Sequence, residues 1–178
     1  SDGPSGAGVE ALSLRPATTA DFPFIHSLAS RLDYAVYITD EDDTALAAYI
    51  ADPGAQLLIW EAGGGPAGYA LFCEIGDPAG RVELRRLALA TAGGGKGGAF
   101  LRALVDHGFG QLGAARLWLD ASSENLRAMK TYERAGFTLE GRLRQHWYRP
   151  ILGRTVDLML YGMLRAEWES LEPVPARA

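Results

Sequence analysis

The chain has 178 residues, 48% of them apolar and 22% charged, with one cysteine and a net charge of −5. That length and composition fit one globular domain with a sizeable core. The lone cysteine excludes an intramolecular disulfide and points to reducing, cytoplasmic surroundings, and the acidic balance argues against a free-standing nucleic-acid binder.

Residues 1–10 are small, polar and glycine-rich and are expected to be disordered. No signal peptide and no membrane span are expected. Leu12 to Arg15 alternates like a strand, and Pro16 ends it. Thr18-Thr19-Ala20-Asp21 supplies capping residues for a helix over Phe22 to Leu32, and a second helix spans Glu41 to Ile50. Strands follow at Gln56–Trp60 and Ala67–Glu74, joined by the glycine turn at 63–66, and then at Arg81–Leu89. Cys73 lies in an apolar run and reads as a core residue.

A glycine run, Gly93 to Gly98, separates the third of these strands from a helix over Gly98 to Leu112, whose apolar stripe includes Phe100, Leu101, Leu104 and Val105. Arg116–Asp120 is another strand. Asn125 to Ala135 is another helix, closed by Gly136. Late strands near Phe137–Trp147 and Thr155–Leu164 complete the sheet. Residues 171–178 should fray. The pattern predicts an α/β (α+β) domain over 11–170, with a mostly antiparallel sheet of about six to seven strands and about four helices. His26, His107 and His146 share no zinc-type spacing, and no metal is expected.

The glycine run sits between a strand and a helix start. Unpaired amides and a partial positive charge are available there, and glycine lets an anion approach the backbone, so the place suits a pyrophosphate. Lys96 is followed by Gly97 rather than a hydroxyl residue, which excludes a P-loop. The meander ahead of it excludes a dinucleotide fold. On composition alone, a phosphate cradle and a bare surface loop stay equally open.

Two blocks carry a resemblance. Gly94-Gly95-Lys96-Gly97-Gly98-Ala99 resembles the Gln/Arg-x-x-Gly-x-Gly/Ala loop of the GNAT superfamily of acetyl-CoA-dependent N-acetyltransferases, matching at Gly97 and Ala99 and departing at Gly94. Asn125 through Phe137 matches the family's Asn-x-x-Ala-x-x-x-Tyr-x-x-x-Gly-Phe pattern at every marked position. Glu140–Arg144 and Tyr161–Trp168 are similar to the subgroup acting on ribosomal-protein N-termini, polyamines and related amines. The resemblance implies acetyl transfer from acetyl-CoA to a primary amine by direct attack. It places the cofactor along Leu87, Ala88 and Leu89, the loop and helix start from Gly94, Gly95, Lys96, Gly97 and Gly98 through Ala99 and Phe100, and Asn125. The Leu89 amide is then the donor to the acetyl carbonyl.

Asn125 and Tyr132 are seven residues apart and so share a helix face, about 10 Å apart along the axis. By resemblance Tyr132 is the acid near the departing sulfur; on its own it would read as a core tyrosine. Two carboxylates match base positions of the family. Alternation puts Glu83 on the face of Leu87 and Leu89, and its reach makes it the first candidate, although it can instead pair with Arg85 or Arg86. Asp120 is the second.

Arg142, Arg144, Arg149 and Arg154 read as the outer face of a hairpin, a basic segment that can alternatively contact the acceptor or the adenosine 3′-phosphate. The run Asp40–Asp43 reads as support for a helix dipole that can also attract a cationic acceptor. A homodimer stays open. So do two other readings, a non-catalytic acyl-CoA-binding module and an acyltransferase for a larger acyl group.

Overall fold

The computed structural model describes residues 12–174; the expectations for residues 1–11 and for the last four residues of the tail lie outside them. Seven strands form one sheet: β1 (Leu12–Pro16), β2 (Gln56–Ala62), β3 (Gly65–Cys73), β4 (Arg81–Leu89), β5 (Arg116–Ser122), β6 (Thr138–Arg149) and β7 (Arg154–Leu164). They run in the order β1-β2-β3-β4-β5-β7-β6. Every neighbouring pair is antiparallel except β4 and β5. Gly63 and Gly64 make the tight β2–β3 turn, both with positive φ (65° and 82°), the conformation a two-residue hairpin requires.

Six helices pack on the sheet: α1 (Phe22–Ala29), α2 (Leu32–Ala35), α3 (Asp43–Ala51), α4 (Lys96–Asp106), α5 (Leu126–Ala135) and α6 (Arg165–Glu169). The predicted helix over Phe22–Leu32 is shorter than expected. It ends at Ala29, because Arg31 turns extended (ψ 143°) and restarts the chain as the single turn α2. The long helix predicted to Leu112 widens into a π turn at His107–Gln111. After the last strand the chain adds a short helix that the sequence pattern did not mark: in α6, Trp168 stacks on Phe109 with ring centres 5.2 Å apart and donates to Asp106.

The sheet divides two cores. On one face α4, the π turn and α5 bury Phe100, Leu101, Leu104, Phe109 and Tyr132 against Phe72, Leu84, Leu89, Leu119 and Tyr161. On the other face α1 and α3 bury Ile25, Leu28 and Leu46 against Leu57, Ile59, Tyr69, Leu71 and Ala88. None of the strand residues in this second core comes from β5, β6 or β7. Among the described residues, that part of the face, with half-buried Trp118 and Asp120, is left uncovered by these helices.

One irregularity decides which side chains share a face. The β3–β4 register steps from Leu71↔Arg86 to Phe72↔Leu84, so Arg85 is an extra, bulged residue. Simple alternation therefore fails. Leu87 and Leu89 join the first core with Leu84, while Glu83, opposite Cys73 of the second core, points to the other face. The expectation that Glu83 shares a face with Leu87 and Leu89 is corrected by this bulge.

Candidate active site

β4 and β5 are parallel neighbours for only three residue pairs, Arg81↔Arg116 to Glu83↔Trp118. β4 then runs on to Leu89 and β5 to Ser122 without pairing to each other, so the two strands diverge into a V-shaped gap. On the β3 side, Ala90 N–H donates to Ala67 O (2.7 Å). Antiparallel alternation then turns the N–H and C=O of Leu87 and Leu89 into the gap, whereas those of Ala88 face β3. A parallel strand edge left open inside a domain is a row of unsatisfied amides and carbonyls, able to hold an extended ligand as an added strand would.

The glycine loop stands at the end of β4. Gly93, Gly94 and Gly95 all have positive φ (97°, 61° and 77°), a run that side-chain-bearing residues rarely adopt. Gly97 and Gly98 are different. Their φ is ordinary, and a Cβ at either would meet nothing within 4 Å. Neither backbone strain nor packing within the chain calls for glycine there, although glycine costs a helix about 1 kcal/mol relative to alanine. Lys96 N–H donates to Gly93 O and Ala99 N–H to Gly95 O, both at 3.1 Å. Among the described residues, that leaves the amides of Gly97 and Gly98 without an acceptor at the positive end of α4. A free space over two bare amides fits a pyrophosphate. Ala99 is not a free donor, and the Phe100 side chain is buried (1% exposed) against Trp60.

Asn125 caps α5, its side chain accepting from Ala128 N–H (3.2 Å). Tyr132 follows two turns later, 7% exposed, with its ring edge-on to Tyr161 at 5.6 Å and tilted against Phe137. Burial, with the nearby Asp120 carboxylate as a lesser cause, pushes its phenol well above the usual range. The group is therefore protonated at neutral pH.

Asp120 projects from β5 to the face opposite its neighbours Leu119 and Ala121, which lie in the first core. Burial, then the Glu83 carboxylate, push it up to about 6, against weaker opposing effects of His146 and Arg85. Among the described residues its carboxylate has no hydrogen-bond partner. Glu83 is also buried, but Arg85 grips it through Nε (3.2 Å) and Nη2 (2.9 Å). The two candidate bases thus lie near each other, one free and one tied.

The acidic run is used internally. Asp42 caps α3, Glu41 pairs with Arg86 (2.9 Å), and His26 bridges Asp40 (2.7 Å) and Asp43 (2.5 Å). The arginine cluster divides. Arg142 pairs with Asp157 and Arg154 with Glu124 on the hairpin surface. Arg149, in contrast, is buried (5% exposed). It stacks on Trp147 at 3.9 Å and donates to the carbonyls of Ala35, Val36 and Ile38, fastening the β6–β7 hairpin to the segment after α2. Cys73 is buried, and burial raises its thiol to about 11, so it is a poor nucleophile.

Sequence reasoning missed Tyr34. Its hydroxyl donates to Leu89 O (2.8 Å) and accepts from Leu89 N–H (2.9 Å). An aromatic residue just beyond an expected helix end carries no pattern that marks it.

The family model described as "Acetyltransferase (GNAT) family" matches residues 22–137, more than half of the chain. Spermidine N(1)-acetyltransferase of Escherichia coli K12 is 27% identical over 146 residues, covering 77% of this chain and 78% of that protein. A crystal structure of spermidine N-acetyltransferase from Vibrio cholerae in complex with CoA and spermine superposes with a TM-score of 0.80 at 22% identity, covering 89% of this chain and 98% of that one. A dodecameric structure of the Vibrio cholerae enzyme superposes at 0.74, with 23% identity and 89% and 96% coverage. The chain belongs to the acetyltransferase (GNAT) family, whose members move an acetyl group from acetyl-CoA to a primary amine.

Proposed function

We propose that the acceptor is a flexible aliphatic polyamine, that Asp120 takes a proton from its ammonium group so that the neutral amine attacks the thioester carbonyl, and that Tyr132 gives a proton to the thiolate that departs as the C–S bond breaks. The observation that carries this reading is the pair of groups astride the β4–β5 gap, a free carboxyl raised to about 6 on one face and a protonated, buried phenol from the other.

The chain fits CoA through the two free amides, the open space at Gly97 and Gly98 and the unpaired edge of β4. Bound acetyl-CoA supplies a thioester carbonyl as acyl donor. The α4 amides grip the anionic end, and Leu87 and Leu89 align the extended arm in the gap. Leu89 N–H is the donor for the carbonyl oxygen as it gains charge. An alkyl ammonium with a pKa near 10.4 is neutral in only about one molecule in 2,500 at pH 7, so a base that accepts its proton, directly or through water, speeds attack. Asp120 suits this role better than Glu83, because Arg85 occupies the Glu83 oxygens. Glu83 instead tunes Asp120 by charge. No covalent enzyme intermediate is required.

The polyamine assignment draws support from the name of the Escherichia coli relative, from the net charge of −5, and from Asp120, Glu83 and Trp118 together on the open face. A free-thiol assay with acetyl-CoA over spermidine, simple diamines, aminoglycosides and peptides with free N-termini tests it. Amine-dependent thiol release is expected to be fastest with the polyamines. Release with peptides alone would reassign the acceptor, and CoA binding without release under any amine would overturn catalysis itself.

A further inference from the structure

The helical turn α2 is clipped onto the end of β4 at two consecutive residues. Arg31 Nη1 donates to Ala90 O (2.5 Å), and the Tyr34 hydroxyl takes both Leu89 groups, donating to its carbonyl and accepting from its amide. The Arg31 guanidinium also lies over the Tyr34 ring, 5.3 Å from its centre, and is held there by Asp33. Leu89 is the last residue of β4. Its N–H and C=O face the gap, so any chain lying along the open edge from the glycine loop inward must pass them.

We infer that Tyr34 is a further residue of the acyl-donor site, a bar whose hydroxyl stands in for the ligand by satisfying the Leu89 amide and carbonyl, and which must withdraw before an acyl carbonyl can reach that amide. The inference rests on the reading of the gap as the CoA site. One amide hydrogen serves one strong acceptor at a time, so the hydroxyl and an incoming carbonyl oxygen compete for it. The closed form leaves no buried polar group of Leu89 unsatisfied, which is why the open edge is tolerated at this point. Each bond that α2 makes to β4 is then a tax on ligand affinity, because the binding-competent form is a fraction of the whole. The same withdrawal loosens the segment that Arg149 ties to the β6–β7 hairpin, so occupation of the gap is transmitted to the wall facing the open sheet.

The test is calorimetric titration of the full chain with acetyl-CoA, comparing wild type with Tyr34→Phe, which keeps the ring and removes the hydroxyl. Tyr34→Phe is expected to bind about two- to tenfold more tightly, the net worth of about one hydrogen bond. Arg31→Gln, which releases Ala90 O, is expected to shift affinity the same way. Amide hydrogen exchange provides a second readout. The Leu89 amide should exchange faster in free Tyr34→Phe than in free wild type, and the difference should vanish with acetyl-CoA bound. Unchanged or weaker binding in Tyr34→Phe would overturn the bar while leaving the CoA site intact. Absence of acetyl-CoA binding to wild type and both variants would instead remove the reading of the gap on which the bar depends.

Discussion

The Asp120 carboxylate and the Tyr132 phenol lie on opposite faces of the sheet, near enough that the charge of the first raises the proton affinity of the second. Asp120 stands on β5 beyond its last pair with β4, where β4 keeps its β3 partner and has none on the β5 side. A reaction that removes a proton from one reactant and supplies one to another needs two groups with separated proton affinities on either side of the reacting atoms, and the two residues differ in that sense.

Asp120→Asn should lower kcat/KM about 10²- to 10⁴-fold, as expected for loss of a general base, with acetyl-CoA affinity unchanged in titration. The wild-type rate should fall as pH drops through about 6, because the protonated carboxyl accepts nothing. Glu83→Gln removes the neighbouring negative charge, so that limb should move to lower pH. The stability effect has a defined sign. The Asp120 carboxyl is raised in the folded chain, so folding loses stability as pH climbs from the unfolded value near 3.9 to about 6 and loses no more above it. Asp120→Asn should therefore raise the Tm at pH 7–8, by about 1–2 kcal/mol in stability, and leave it unchanged at pH 4.

Tyr132→Phe preserves the packing against Tyr161 and Phe137 and removes only the hydroxyl. Turnover should fall about 10²-fold or more, with the CoA dissociation constant within about twofold of wild type, a difference under 0.5 kcal/mol. Equal turnover would reject Tyr132 as the acid.

Gly97→Ala and Gly98→Ala should move stability and binding in opposite directions. A Cβ at either position has free space in the unliganded chain, and alanine favours the helix over glycine by up to about 1 kcal/mol, so thermal unfolding should shift upward. The same methyl occupies the room above the bare amides, and acetyl-CoA should bind more weakly. A variant that gained stability and kept full affinity would show that these glycines do not face the ligand.

Arg149→Met would strand three carbonyls, those of Ala35, Val36 and Ile38, that the guanidinium now satisfies. A loss of about 2–4 kcal/mol in chemical denaturation is expected, together with a raised KM for the amine. Arg149→Lys should recover part of the stability, since a single ammonium cannot reach all three acceptors in the fork geometry.

The features legible in the sequence were local ones. Gly136 at the end of α5 (φ 104°) and the Gly63–Gly64 turn declare their backbone conformations through residue type, and the Asn125–Tyr132 spacing fixes a helix face. β4 fell at Arg81–Leu89 where the pattern put it, whereas α4 begins at Lys96, inside the glycine run, rather than at Gly98. The features that were not legible depend on tertiary pairing. The bulge at Arg85 is a property of two strands in register, and it reversed the side on which Glu83 was expected. Arg149 looks like its exposed neighbours in sequence and differs only because carbonyls from a distant segment surround it. Tyr34 sits in a one-turn helix too short to show periodicity, and its partner is a backbone group 55 residues away.

The central claim is that one gap holds the thioester between Asp120 and Tyr132. A crystal structure of the chain grown with CoA tests it most directly. The expected result is a pyrophosphate on the amides of Gly97 and Gly98 and a sulfur within about 3.5 Å of the Tyr132 hydroxyl, the reach of a hydrogen bond to sulfur. Density for CoA lying outside the β4–β5 gap, or a sulfur remote from that hydroxyl, would contradict it.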